Sequence, residues 1–258
     1  MKLISRIFGR MDMPQFNLFR TIIFNFSVLP FKQAVKLPIF LYGKVRFYSL
    51  DGTVKIEGPI SSRMIKIGSN RSILAGYDKS TAIALFENGT ILFKGKADIS
   101  MGTFLRVSGS LIIGNNIIIG TDCKIICDCQ IDLQDEVRIA FQTRIMDTSF
   151  HPLINLETKE IPPFKKTIII GYKSWIASCS HIMPGTKIKN NTIISSNSLI
   201  NKDFTKYDGE YMILGGIPAK ILKTGITRIR TQNIEEDVTM HYLKSPEEIY
   251  IYNGEIKE

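Results

Sequence analysis

Residues 170–201 read IGYKSW, IASCSH, IMPGTK, IKNNTI, ISSNSL, IN. Cut in sixes, the stretch puts isoleucine first every time, at Ile170, Ile176, Ile182, Ile188, Ile194 and Ile200. The fifth place always holds a small hydroxyl residue: Ser174, Ser180, Thr186, Thr192, Ser198. A helix repeats at about 3.6 residues and a strand at about 2, so neither explains a period of six. A hexad repeat fits a parallel β-helix, where each unit makes one short strand and a corner. Three units then close one triangular coil. The isoleucine points into the core, and the fifth residue is small because it faces inward beside a corner.

Working back toward the N-terminus, the six-residue spacing is also found at Ile113-Gly114, Ile119-Gly120 and Ile125. It then slips by two and resumes at Leu133, Ile139 and Ile145. The slip predicts a bulged corner around Cys127 to Asp132. From about Val45 the phase is looser, with short alternating strands between glycine turns. Between Met146 and Thr167 the period fails. That segment, MDTSFHPLINLETKEIPPFKKT, holds three prolines, mixed charges and His151. It must leave the coil and return in register, and a long loop without a repeat usually serves function.

Both ends depart from the repeat. Gln15 to Val28 reads QFNLFRTIIFNFSV between Pro14 and Pro30, which suits a helix start and stop. Phe16, Phe19, Ile23 and Phe26 can share one face of it. Such a helix can cap the open end of the coil or lie against a membrane surface, and the two readings are compatible. After Asn201, Gly215-Gly216 and Pro218 mark a turn away from the coil axis. The tail is acidic, with a short helix expected from Ser245-Pro246. The expected organisation is a helical cap over 1–44, a β-helix over 45–225 with the loop 146–167 protruding, and an extension over 226–258.

The 258 residues can enclose one sizeable core, and the 44% hydrophobic content is that of a globular chain. No run of about 20 apolar residues suggests a membrane span, and the N-terminus lacks the pattern of a signal peptide. The four cysteines, Cys123, Cys127, Cys129 and Cys179, read as small core residues in a reducing compartment. Their spacing is not that of a zinc site. The net charge is +9, and residues 1–46 hold eight cations against Asp12 alone. No groove-reading or stacking motif points to nucleic acid. A basic, apolar front end suits peripheral contact with a membrane through residues 1–46.

Three segments together carry a resemblance. They are IMDTSFHP (145–152), the run IIIGYKSWIASCSHIMPGTKIKNNTIISSNSLINKD (168–203), and GGIPAKILK (215–223). This pattern resembles the hexapeptide-repeat acyltransferase superfamily over about residues 105–225. Within it, the nearest likeness is to sugar O-acetyltransferases of capsule, exopolysaccharide and O-antigen assembly. The resemblance implies a left-handed parallel β-helix, a homotrimer with sites between subunits, acetyl-CoA as co-substrate and a cytoplasmic location. A location peripheral to the inner membrane face agrees with the basic front end.

The resemblance further implies His151 as general base. The chemistry is reasonable: a sugar hydroxyl is a poor nucleophile, and imidazole is the side chain that exchanges protons near neutral pH. Asp147, four residues earlier, is expected to orient the imidazole or bind a sugar hydroxyl. Ser149 stands where the family has a second acid. Trp175, Ala177, Ser178, Ser196, Lys202 and Lys220 fall at positions that contact the coenzyme: Trp175 at a coil corner, the serines and Ala177 along the pantetheine arm, the lysines near the phosphates. Ala177 replaces a family glycine, Ser196 an alanine and Asn197 a glycine. Each lysine also reads as an ordinary solvated side chain. The same scaffold and base could serve N-acylation of an amino sugar on a nucleotide or lipid carrier. A non-catalytic β-helix scaffold is a further reading. A zinc hydratase is set aside because His181 lies in the repeats while His241 lies far out in the tail.

Overall fold

The computed structural model describes residues 15–69 and 79–254. Among the described residues, strands stack in sheets of nine, seven and six, parallel except for the last strand of the nine, forming the walls of a triangular prism. The chain visits the walls in turn, so each wall grows by one strand per circuit. This is a left-handed parallel β-helix: the hexads imply the coil and the resemblance its hand.

The interior follows from the repeat. Ile170, Ile176, Ile182, Ile194 and Ile200 are fully buried, and Ile188 nearly so. The five hydroxyl residues are buried too, and they do more than fit. Ser174 Oγ donates to the Lys189 carbonyl at 3.1 Å, Ser180 Oγ to Ser195 at 3.0 Å and Thr186 Oγ1 to Ile200 at 2.9 Å. Ser174 and Ser180 thereby satisfy corner carbonyls, and Thr186 adds a second bond to a strand carbonyl that already accepts from Met183 N at 2.8 Å. Corners at Asn116, Asp122, Glu136, Gln142, Lys173, Cys179, Asn191 and Asn197 all take positive φ. Asparagine tolerates that conformation, which is why Asn197 can stand where glycine was expected.

The walls are not all the same width. Ile99, Ile119 and Ile139 stack directly at intervals of twenty residues, whereas Ile176 stacks on Ile194 at eighteen. The predicted bulged corner at Cys127–Asp132 is absent. Lys124–Cys127 and Gln130–Leu133 are ordinary strands with unshifted pairing to Phe104–Val107 and Ser110–Ile113. The two added residues lengthen one side of each coil. A two-residue step preserves the in–out alternation, so no bulge is needed.

Helix α1 (Leu18–Val28) covers the first strand, Ile39–Leu41. Thr21 and Asn25, one turn apart and fully buried, face that strand's edge. Thr21 Oγ1 accepts from Leu41 N at 3.0 Å, Asn25 Oδ1 accepts from Ile39 N at 3.1 Å, and Asn25 Nδ2 donates to the Ile39 carbonyl at 2.6 Å. The edge is thereby closed by side chains in place of a neighbouring strand. The apolar face expected of this helix points the other way: Phe19 is 74% exposed, with Leu18, Ile23 and Phe26 beside it. A one-turn helix, α2 (Phe31–Ala34), follows and exposes Phe31. No helix among the described residues is long and apolar enough to cross a membrane.

At the other end, Ile213–Gly216 still stacks on Ile193–Ile194, and Ala219–Lys223 then pairs with it antiparallel. Gly215 and Gly216 thus end a strand, and Ile217-Pro218 turns the hairpin on the last coil. Helix α3 spans Gln232–Lys244, so Ser245-Pro246 ends it and does not begin it. Proline disfavours helical geometry in the residue before it, and the acidic residues favour the helix's N-terminal half. The tail is tied to the coil by two arginines. Arg230 Nη1 donates to the Glu136 carbonyl at 3.3 Å and Nη2 to the Lys173 carbonyl, while Arg228 lies 5.0 Å from the Trp175 ring centroid.

Candidate active site

The loop 146–167 leaves the prism between Arg144–Met146 of the seven-stranded wall and Ile168–Ile170 of the six-stranded wall. Its neck is a short antiparallel ladder. Thr148 bridges Lys165, Ser149 N donates to the Phe164 carbonyl at 3.0 Å, and Lys166 N donates to the Asp147 carbonyl at 2.9 Å. Its tip is a built turn around Asn155, whose Oδ1 accepts from Glu157 N at 2.9 Å and Thr158 N at 3.1 Å. Leu153, Ile154, Leu156 and Ile161 are all exposed on it.

Asp147 sits at the root. It continues the inward row that holds Val107 and Cys127, and it is fully buried. Oδ1 accepts from Asp128 N at 2.7 Å and Oδ2 from Cys129 N at 2.8 Å. Both oxygens are therefore engaged on the corner of the preceding coil. No bond from Asp147 to the His151 imidazole occurs among the described residues, so the expected orienting contact is replaced by a cap on the corner beneath the loop. Burial, reinforced by the Asp147 carboxylate, pushes the Cys127 thiol well above its ordinary range.

His151 follows directly on the neck and is exposed. Its backbone N donates to the Ser149 carbonyl at 2.7 Å, and Ser149 Oγ donates to its carbonyl at 3.3 Å. Among the described residues its imidazole has no partner. Phe150, just before it, adopts φ +61°, unusual for a bulky side chain. Thr148 Oγ1 accepts from Phe150 N at 3.0 Å. The Arg106 guanidinium carbon lies 5.2 Å from the Phe150 ring centroid and 5.2 Å from that of Phe86. Arg106 also pairs with Asp128, whose other oxygen lies 3.4 Å from Lys165 Nζ. Sequence reasoning missed Arg106, Phe86 and Asp128. Phe86 and Arg106 are outward or corner residues of the loosely phased part and Asp128 falls at the two-residue slip, where the hexad pattern is silent.

The positions expected for the coenzyme lie elsewhere on the prism. Trp175 faces outward on the nine-stranded wall, under Arg228. Ala177, Ser178 and Ser196 flank the corner between that wall and the seven-stranded one. Ala177 is buried, and its carbonyl accepts from Thr143 Oγ1 at 3.3 Å. Ser178 and Ser196 hydroxyls lie 3.3 Å apart on successive coils, so the structure brings these two together. Lys202 and Lys220 are exposed near the last coil, without a side-chain partner among the described residues. Within one chain, the loop that carries His151 and the Ser178/Ser196 corner leave the prism at different edges. His181 lies on the seven-stranded wall between Arg144 and Leu199, and His241 packs against Tyr242 and Tyr250 in the tail.

No protein-family model matches the chain. Part of it is similar to curated acetyltransferases. It is 42% identical over 59 residues to a chloramphenicol acetyltransferase of Klebsiella aerogenes, covering 23% of this chain and 26% of that one. It is 29% identical over 73 residues to an Escherichia coli (strain K12) protein named as a candidate lipopolysaccharide-biosynthesis O-acetyl transferase, WbbJ, covering 26% and 35%. The matched stretches thus span about a quarter to a third of these relatives. Among solved structures, the polySia-specific acetyltransferase NeuO superposes with a TM-score of 0.58 at 17% identity, over 83% of this chain and 91% of that one, which shows a shared fold.

Proposed function

We propose that the protein is an acetyl-CoA-dependent O-acetyltransferase that acts on a sugar hydroxyl during assembly of a capsule, exopolysaccharide or O-antigen. The observation that carries this reading is the exposed imidazole of His151, without a partner among the described residues, on a hydrogen-bonded neck where a long loop leaves the hexad coil. His151 takes the proton of the acceptor hydroxyl as that oxygen attacks the thioester carbonyl. The carbon–sulfur bond then breaks, and the thiolate leaves carrying the proton released by the imidazole. Ser178 and Ser196, with Ala177 between the coils, offer polar backbone and hydroxyl groups to a pantetheine arm. Trp175 forms the flank, and the ammonium groups of Lys202 and Lys220 suit the coenzyme phosphates.

Because His151 and the serine corner leave one chain at different edges, a cleft holding both draws them from two copies. This supports a homotrimer with shared sites. The exposed apolar side chains at the loop tip suit contact with the neighbour. Asp147 acts as a positioning residue by fixing the corner from which the loop starts. The front end is proposed to touch an anionic membrane surface on its cytoplasmic side. The outward face of α1 is apolar, and residues 15–46 carry Arg20, Lys32, Lys36, Lys44 and Arg46 with no acidic group. Residues 1–14 of the expected contact lie outside the described residues.

The test is to incubate the full chain with acetyl-CoA and a panel of acceptors while following free thiol. The panel holds neutral oligosaccharides, polysialic acid, amino-sugar nucleotides and chloramphenicol. Transfer to a sugar hydroxyl is expected, with His151→Ala losing about 100-fold or more. Full turnover by that variant rejects the assignment of the base. Transfer confined to amino groups rejects O-acetylation.

A further inference from the structure

Charged and aromatic groups from four successive coils meet at the neck of the loop, and this meeting is not explained by the coil itself. Arg106 rises from the strand Phe104–Val107, two circuits before the loop. Its guanidinium faces the rings of Phe86 and Phe150 and pairs with Asp128. Asp128 in turn faces Lys165 on the returning arm and donates its backbone N–H to Asp147 on the outgoing arm. Both arms of the neck are thus fastened to one corner. Phe150 is the residue held in the left-handed region. A bulky residue there costs roughly 1–2 kcal/mol, and such strain persists only where the surroundings impose it. Its surroundings are the Thr148 hydroxyl, which accepts from its N–H at 3.0 Å, and a ring contact with an arginine that is itself held by a carboxylate. The next residue along the chain is His151.

We propose that Arg106 is a positioning residue for catalysis: by holding the Phe150 ring it keeps the backbone in the conformation that aims His151. The proposal rests on the reading of His151 as the base, but the clamp itself can be tested without it. Arginine is required for its flat face, since lysine would keep the pairing with Asp128 but not the planar contact with two rings.

Amide exchange by mass spectrometry on the intact protein reads the clamp directly. In Arg106→Gln and Arg106→Lys, exchange at residues 148–151 is expected to quicken about 10-fold or more, with Tm close to wild type. Phe150→Gly separates strain from clamping. Glycine accepts positive φ freely, so if the turn needed only its backbone geometry this variant would exchange like wild type. The clamp predicts that it loosens as Arg106→Gln does. With the acceptor that scores in the panel, Arg106→Lys is expected to lower kcat about 10- to 100-fold with KM for acetyl-CoA within about two-fold, the signature of a displaced catalytic group. Unchanged exchange in Arg106→Gln, or a KM effect without a kcat effect, overturns the proposal. If His151→Ala keeps full activity, the base is misassigned, and the exchange result alone still decides whether the clamp exists.

Discussion

Asp147 shows how one carboxylate can occupy a place that the pattern gives to an apolar residue. It lies in the inward row below Cys127, and it is tolerated there because two backbone amides receive its charge. Asp147→Ala leaves the Asp128 and Cys129 amides without acceptors. The expected cost is about 1–3 kcal/mol, or roughly 2–10 °C in Tm by calorimetry. A variant melting like wild type would deny the cap. Asp132 behaves oppositely. It faces outward between Ile112 and Ile169, and burial raises its pKa above the usual carboxylate value, with Lys94 opposing. A raised folded pKa means that the fold holds the proton more tightly than the unfolded chain does. Stability is therefore lost as pH rises from the unfolded pKa through the folded one. Asp132→Asn should unfold at higher urea than wild type at pH 7, and the difference should close below about pH 4.

At the scale of elements, legibility followed the tightness of the repeat. The hexads of 170–201 made strand, corner and interior readable, because one isoleucine per side leaves no other way to build a core. The meaning of the two-residue slip was hidden, since a longer side and a bulged corner leave the same trace in one coil. Only the stacking of Cys127 on Val107 tells them apart. Helix α1 was legible as a helix, but its orientation was not. The four apolar side chains left capping and membrane contact both open, whereas the unpaired edge of Ile39–Leu41 needed hydrogen-bond partners and drew in Thr21 and Asn25. The apolar face was left outside. His151 was visible through its motif, but Arg106 and Phe150 were not, because their meeting depends on which coils stack. If the outer face of α1 meets lipid, phosphatidylglycerol vesicles should co-sediment with the protein and phosphatidylcholine vesicles should not. Phe19→Asp with Ile23→Asp should abolish that binding, and raised salt should weaken it. Equal sedimentation of both vesicle types would argue against the basic contribution.

For the whole molecule, the separation of the loop edge from the serine edge predicts complementation between chains. His151→Ala and Ser196→Tyr should each be inactive alone. Co-assembled in equal amounts they should recover roughly a quarter of wild-type activity, because each cleft draws its two groups from independently chosen chains. No recovery would mean that a single chain supplies both.

The twenty- and eighteen-residue circuits carry a consequence for how such a molecule can change. Its girth grows most simply by twos. An even increment within a wall keeps the alternation of faces, whereas a single extra residue must be absorbed by a bulge, as Tyr48 is between Phe47 and Ser49. Extra length of any parity can instead be extruded at an edge, where it costs the interior nothing. The only ground open to free experiment in length lies along the edges of the prism, and one such extrusion is the loop that bears His151.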